Sequence, residues 1–320
     1  VDDWMEMSRP YLHLAAEHDV GVFHHLPLKG GLMNLPNWEQ ELARMVNALK
    51  DEPGLYFWYL WDEPAIPLNV LEKRGHADQA ELLLNNLIRA YRIIRENDAN
   101  HPVVIVDASD RLAKQPEIHR TCDAMWLDHY TLPYTVLTHA LGVPETRKNF
   151  PEEQVMAVPH PGDRFAWMAY NASRKNPNLS GQVPDERDSA IKPHHVRADL
   201  HAALAGGSMG LVYYFSPNWA GHLSRDTPKL WQQVIDNGEE LRRLTPILFS
   251  DEEVPEYTFQ SDKWGWVVEF RLRYGRSEQS DQMARSIPTM AHWTRSYEGD
   301  VYMGNVCDTV WIQRPSITFP

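Results

Sequence analysis

The sequence predicts an α/β protein built on a parallel sheet, a TIM-type (β/α) barrel followed by a small antiparallel β appendage. Three observations predict it. Helix-period and strand-like stretches alternate from Ser8 to Leu248, the pattern of strand–helix crossover units. The strands are short apolar runs that end abruptly in polar residues, and a barrel presents its chemistry at such ends. No Gly-rich phosphate loop follows any strand, so an open dinucleotide-binding sheet has no support.

In order, Ser8–His18 places Leu12, Ala15 and Ala16 on one face and offers Ser8 as N-cap, predicting a helix. Val20–Leu26 predicts a short strand carrying His24-His25 at its end. Asn37 opens a second helix, with Gln40 in the capping-box position and Leu42, Met45, Val46 and Leu49 at helical spacing. Leu55–Trp61 is an apolar, aromatic run without polar alternation, expected to be buried on both faces. His76–Asn97 predicts a long helix burying Leu83, Leu87, Ala90, Tyr91 and Ile94.

Three more strands follow. Val103–Val106 ends at Asp107, Asp123–Leu127 ends in Asp128-His129-Tyr130, and Val155–Val158 ends in Pro159-His160-Pro161. Gly162–Pro193 is polar and too long for an ordinary connection, which predicts a site-covering loop or a mobile insertion. His194–Ala205 predicts a helix stopped by Gly206-Gly207. Leu211–Phe215 is a strand, Trp219 lies in the loop after it, and Asp226 and Pro228 open a last helix reaching about Leu244.

From Val254 onward Trp264–Leu272 alternates like a strand, with Val301–Met303 and Thr309–Ile312 similar. The expected division is a barrel over 1–250 and a β-rich appendage over 251–320. Barrel-type strands number six, near residues 21, 56, 103, 123, 155 and 211, where a complete barrel has eight. Either the first two βα units lie outside this chain or the fold is not a full barrel.

Composition narrows the function classes. With 320 residues the chain suffices for one large domain with a companion. A formal charge of −13 argues against a nucleic-acid partner, which would meet a basic surface. No run resembles a membrane span or a secretory leader. Cys122 and Cys307 are far apart without ligand-like spacing, so buried thiols are expected and a disulfide stays open. The 12 Trp and 13 Tyr include many at strand ends, where flat faces suit the apolar faces of sugar rings.

The sharpest local signal is Asp62-Glu63-Pro64. The aromatic strand delivers two carboxylates at its end, and Pro64 prevents the ladder from continuing. With this strand placed, the chain resembles the (β/α)-barrel glycoside hydrolases of the large retaining clan. In that family the fourth strand ends in Asn-Glu-Pro and its Glu is the acid/base. Asp128-His129-Tyr130 and the Gly210–Phe215 strand are similar to later parts of such barrels. The resemblance spans most of Ser8–Leu248. It implies a glycosidase acting on a poly- or oligosaccharide, needing no cofactor, in a secreted or periplasmic setting.

Two positions depart from the family pattern. Asp62 stands where the family has Asn, and the seventh strand ends Val158-Pro159-His160 without the family's nucleophilic Glu. Glycoside cleavage needs a proton donor at the leaving oxygen and a second carboxyl at the oxocarbenium-like carbon. Glu63 is the expected donor, in a low-dielectric setting supplied by Trp58 and Trp61. The competing structural reading is a strand-end carboxylate paired with an arginine.

Asp128 is the expected second carboxyl, with Asp107, Asp163 and Asp62 as other candidates. Asp62 as a partner of Glu63 meets an objection, because adjacent strand residues face opposite sides unless the chain twists at the edge. Expected substrate-binding residues are Asp62, Trp61, His25, His129, Tyr130, His160 and Trp219, with Trp126 and Trp167 as further platforms. The strand-end histidines also raise a metal-dependent hydrolase. They lack a His-x-His spacing, so no metal is expected. A silent carbohydrate-binding barrel is the competing function.

Overall fold

The structure is a computed structural model that describes residues 1–29, 31–128, 138–151, 153–161, 191–214, 223–256, 258–260, 290–307 and 316–318. The chain divides into two compact units, Val1–Leu127 with Glu145–Val155, and Asp128–Pro144 with Met156–Pro320.

In the first unit, α1 spans Asp2–Glu17 and leads to β1, Val22–His25. The helix starts earlier than Ser8 because Asp2 and Asp3 occupy its first turn, where carboxylates offset the positive helix end. Ser8 is therefore interior and donates its hydroxyl to the Trp4 carbonyl at 2.7 Å instead of capping. Helix α2, Trp38–Leu49, buries Leu42, Met45, Val46 and Leu49 completely, as its spacing predicts. Asn37 precedes it without a side-chain cap and donates to Glu41 at 3.2 Å instead.

Strand β2 is Leu55–Asp62, followed by α3, Ala65–Lys73, and α4, Ala77–Asn97. Helix α3 escapes sequence patterning because it is short and carries Pro67 within its first turn. Helix α4 buries Leu87, Ala90 and Ile94 as expected. Its Tyr91 hydroxyl reaches Asp123 at 2.9 Å. Strand β3, Val103–Asp107, is buried throughout, a short helix α5 covers Ser109–Leu112, and β4 is Ala124–Leu127.

The sheet has the order β1-β2-β3-β4-β5, with β5 at Gln154–Ala157. The β1–β2, β2–β3 and β3–β4 pairs are parallel, as βα crossovers require. Closure into a barrel is not among the described contacts. On the helix side, the Trp58 indole donates to the buried Asp98 at 2.8 Å, and Asp98 also holds the His101 ring at 2.7 Å.

In the second unit, the expected sixth strand is reduced to a parallel bridge between Ala157 and Leu211. The ladder continues through Val212 N–H to the Ala157 carbonyl and Tyr214 N–H to the Pro159 carbonyl, both at 3.0 Å. Helix α6 is Thr138–Asn149, whose internal Pro144 and weak apolar spacing hid it from sequence reading. Helix α7, Pro193–Ala205, packs on the final long helix, Pro228–Leu248, which runs past Leu244 through Pro246.

The β appendage is present as an antiparallel hairpin of Met290–Tyr297 with Asp300–Cys307, and a short pair, Thr258–Gln260 with Ser316–Thr318. Glu298 and Gly299 both have positive φ in the two-residue turn, the geometry that suits the twist of a tight hairpin. The hairpin and helices share a core of Leu200, Leu204 and Trp293, and another of Ile191, Val196, Ala202, Leu230 and Val306. Trp264–Leu272 and Thr309–Ile312 lie outside the described residues. Cys122 is a free, buried thiol.

Candidate active site

The register of β2 against β3 decides where the two carboxylates go. Tyr59 pairs with Val104, but Trp61 pairs with Ile105, so the ladder slips by one residue between them. A bulge of this kind turns the following residues over. Asp62 consequently shares the face of Tyr59, whose hydroxyl donates to Asp62 Oδ1 at 2.7 Å. The slip lies before both carboxylates, so it regroups Asp62 with Tyr59 and does not bring Asp62 and Glu63 together.

Glu63 then leaves the strand by a different route. Its backbone φ is +53°, in the left-handed region that costs a non-glycine residue about 1–2 kcal/mol. Its amide still donates to the Val106 carbonyl at 2.8 Å, which pins the turn to β3. The side chain meets Arg111, with Glu63 Oε1 2.7 Å from Arg111 Nη2. Arg111 is held in turn by Asp107, with 2.6 Å between Nε and Oδ1. Asp107 is fully buried and also accepts the amides of Ala65 at 2.7 Å and Ala108 at 2.8 Å. It thereby satisfies a free amide at the start of α3. Burial pushes the Asp107 pKa up, against the opposing pull of Arg111 and the two amides.

The setting expected around Glu63 is corrected here: Trp58 serves Asp98, and the Glu63 carboxylate faces a guanidinium. Trp61 is 7% exposed and its indole nitrogen has no partner among the described residues.

Beside Asp62 lies an aromatic group. The His25 ring sits 4.8 Å from Tyr59, Tyr59 stacks on Trp126 at 6.3 Å, and Phe23 meets Trp126 edge-on at 4.9 Å. Trp126 is buried beneath, while Phe23, His25 and Asp62 are exposed. Desolvation pushes the His25 pKa down, Asp62 opposes, and Lys29 adds to the lowering. His24 points the other way, against Trp4 at 4.5 Å. Burial and the neighbouring His25 push its pKa down to about 4.

Asp128 and His160 belong to the second unit and are both buried there. The His160 ring lies 6.0 Å from that of Tyr214. His129, Tyr130, Asp163, Trp167 and Trp219 lie outside the described residues. Among the described residues no group of three His, Cys, Asp or Glu gathers as a metal site, and no helix is long and apolar enough to cross a membrane. Sequence reasoning missed Arg111, Tyr59 and Phe23. Arg111 stands four residues after Asp107, a helical spacing that pairs such charges. Tyr59 was hidden because its contact to Asp62 depends on the bulge.

No family model and no curated protein matches the chain. Solved structures that the chain partly matches include a polyextremophilic β-galactosidase from the haloarchaeon Halorubrum lacusprofundi, at 13% identity and a TM-score of 0.45 over 69% of this chain and 44% of that one. A β-galactosidase from the psychrophilic Marinomonas ef1 shows 11% identity and a TM-score of 0.45, covering 65% and 42% of the two chains. A β-glucuronidase from Bacteroides uniformis shows 14% identity and a TM-score of 0.40, covering 57% and 22%. The chain thus spans less than half the length of each of these proteins.

Chemically, the first unit offers two carboxylates with separate environments. Asp62 is open, hydrogen-bonded by one phenol and bordered by rings. Glu63 is one-third exposed and fixed by a guanidinium that is itself anchored on a buried aspartate.

Proposed function

We propose that the chain cleaves glycosidic bonds of a poly- or oligosaccharide on a (β/α) barrel over residues 1–250, with Glu63 as general acid/base. The observation that supports it is Asp62-Glu63 at the end of a parallel strand, beside exposed aromatic faces. Catalytic groups in such folds come from strand ends. In this reading Glu63 protonates the leaving oxygen, and Asp128 supplies the second carboxyl. Asp62, Trp61, His25, His129, Tyr130, His160 and Trp219 hold the sugar. Arg111 holds the Glu63 carboxylate in the free site; on leaving that pair Glu63 takes up a proton from solvent and donates it to the glycosidic oxygen.

A second reading is a binding barrel without turnover. It is favoured by the Glu63–Arg111 pair at 2.7 Å and by the absence of a carboxylate in Val158-Pro159-His160. Aryl glycosides and polysaccharides assayed with wild type and Glu63→Gln separate the two. General acid catalysis is worth about 10²–10⁴-fold, so the first reading expects a loss of that size with substrate binding retained. Cleavage unchanged in Glu63→Gln sinks the acid assignment. Carbohydrate binding by a wild type that cleaves nothing on the panel supports the second reading.

A further inference from the structure

We propose that Asp62 and its aromatic collar recognise a cationic amino group, making a 2-amino-2-deoxy sugar such as a glucosamine unit the preferred ligand. The inference rests on the carbohydrate reading of the site and specifies its substrate class.

Asp62 is exposed, and its only described hydrogen bond is the one Oδ1 accepts from Tyr59. Oδ2 is left as an acceptor, and an ionised carboxylate has no donor to offer. A ligand group that fits it must donate. Among the described residues Asp62 makes no ion pair. Arg111 is held between Glu63 and Asp107. Lys29 is exposed and makes no ion pair within the described residues. His25, the close ring, is pushed toward its neutral form by desolvation and Lys29, and Asp62 only partly offsets this. Among the described residues the Asp62 carboxylate therefore has no ion-pair partner.

That decides between a hydroxyl and an ammonium. A sugar hydroxyl donates a hydrogen bond to the carboxylate but leaves its charge in place as it displaces water from it. An ammonium removes the charge imbalance and donates a charge-assisted bond. The Tyr59 and Phe23 rings add faces that attract a cation. Phe23 is 41% exposed and meets Tyr59 edge-on at 5.8 Å, so part of the collar is open to solvent. The formal charge of −13 over the whole chain works in the same direction for an approaching cation.

The test is calorimetric titration of the full chain with glucosamine oligomers, N-acetylglucosamine oligomers and neutral glucose oligomers of equal length. Wild type and Asp62→Asn are compared; Asn is nearly isosteric at an exposed position, and thermal unfolding confirms that the fold is kept. Wild type is expected to bind the amine oligomer at least about tenfold more tightly than either neutral oligomer, the scale of one charge-assisted bond. Asp62→Asn is expected to lose that preference, its affinity for the amine oligomer falling at least about tenfold further than its affinity for either neutral oligomer. Equal affinity for all three ligands, preference for the N-acetyl oligomer, binding of none of them, or an amine preference that survives Asp62→Asn each overturns the proposal. Cleavage is scored separately. Asp62-dependent amine binding without hydrolysis supports this inference and removes only the glycosidase reading. Glu63-dependent cleavage of neutral glycosides with no amine preference removes only this inference.

Discussion

Arg111→Met is the substitution that most directly probes how Glu63 is held. The guanidinium lies between two carboxylates of very different exposure, Asp107 at 0% and Glu63 at 33%, with its own side chain at 27%. Removing it leaves Asp107 buried with, among the described residues, the Ala65 and Ala108 amides as its donors. Stripping one partner from a buried pair costs about 3–5 kcal/mol. The two retained amides and the partial exposure of Arg111 put the expected loss near about 3 kcal/mol, the low end of that range. Glu63→Gln removes only the outer pair and should cost at most about 1 kcal/mol, as half-exposed ion pairs do. Adding Asp107→Asn to Arg111→Met should recover much of the loss, because the stranded charge is then gone.

Urea titrations followed by tryptophan fluorescence give the four stabilities. pH supplies a further check. The folded Asp107 pKa already lies above its unfolded value, and losing Arg111 removes a lowering influence. Protonation then relieves the folded state first, so the Arg111→Met penalty should shrink as the pH falls from neutral toward the carboxylate range. If Arg111→Met lies within 1 kcal/mol of wild type, or Glu63→Gln costs as much as it does, Asp107 is not what anchors this cluster.

Two other positions test the first unit. His24 has its pKa lowered from 6.5 to about 4, so the unfolded chain binds the proton more readily. Its stability contribution is complete above 6.5 and is lost as the pH falls toward 4, about 3 kcal/mol across the window. His24→Phe should flatten that acid limb by one proton, read from stability against pH, and an unchanged slope would refute the assignment. Gly54 has φ +88°, and a Cβ there would lie 2.5 Å from the Leu12 carbonyl oxygen. Gly54→Ala should cost more than about 1 kcal/mol in urea denaturation, and a neutral result would mean that α1 moves freely over this turn.

Much of the first unit was legible because its elements are strongly patterned. The stripe of Leu42, Met45, Val46 and Leu49 announces its burial directly, whereas the β2 run, expected to be buried on both faces, buries Leu55, Trp58, Leu60 and Trp61 but leaves Tyr56 exposed and Phe57 and Tyr59 half-buried. The missed helices α3 and α6 share a physical reason. Each carries a proline: Pro144 lies inside α6 and reads as a break, while Pro67 lies in the first turn of α3, where it is tolerated and leaves only a short helical pattern to read. Tertiary contacts hold these segments helical against that local preference. At α3 the holding contact is identifiable, since Asp107 from the next strand accepts the Ala65 amide.

The site illustrates why a motif and its geometry carry different information. Asp62-Glu63-Pro64 marks the strand end correctly from sequence. Simple alternation then puts the two carboxylates on opposite faces and leaves Tyr59 with Trp61 rather than with Asp62. One slipped residue between Tyr59 and Trp61 reverses that. It gives Asp62 the phenol and the rings, and the positive φ of Glu63 sends the second carboxylate to Arg111. Neither departure is encoded by a glycine or an asparagine at the turn. The second is held by β3, whose Val106 carbonyl takes the Glu63 amide and whose Asp107 anchors Arg111. The division of labour between Asp62 and Glu63 is therefore set by a neighbouring strand more than forty residues away in the chain, and substitutions in β3 should alter it as surely as substitutions in the motif itself.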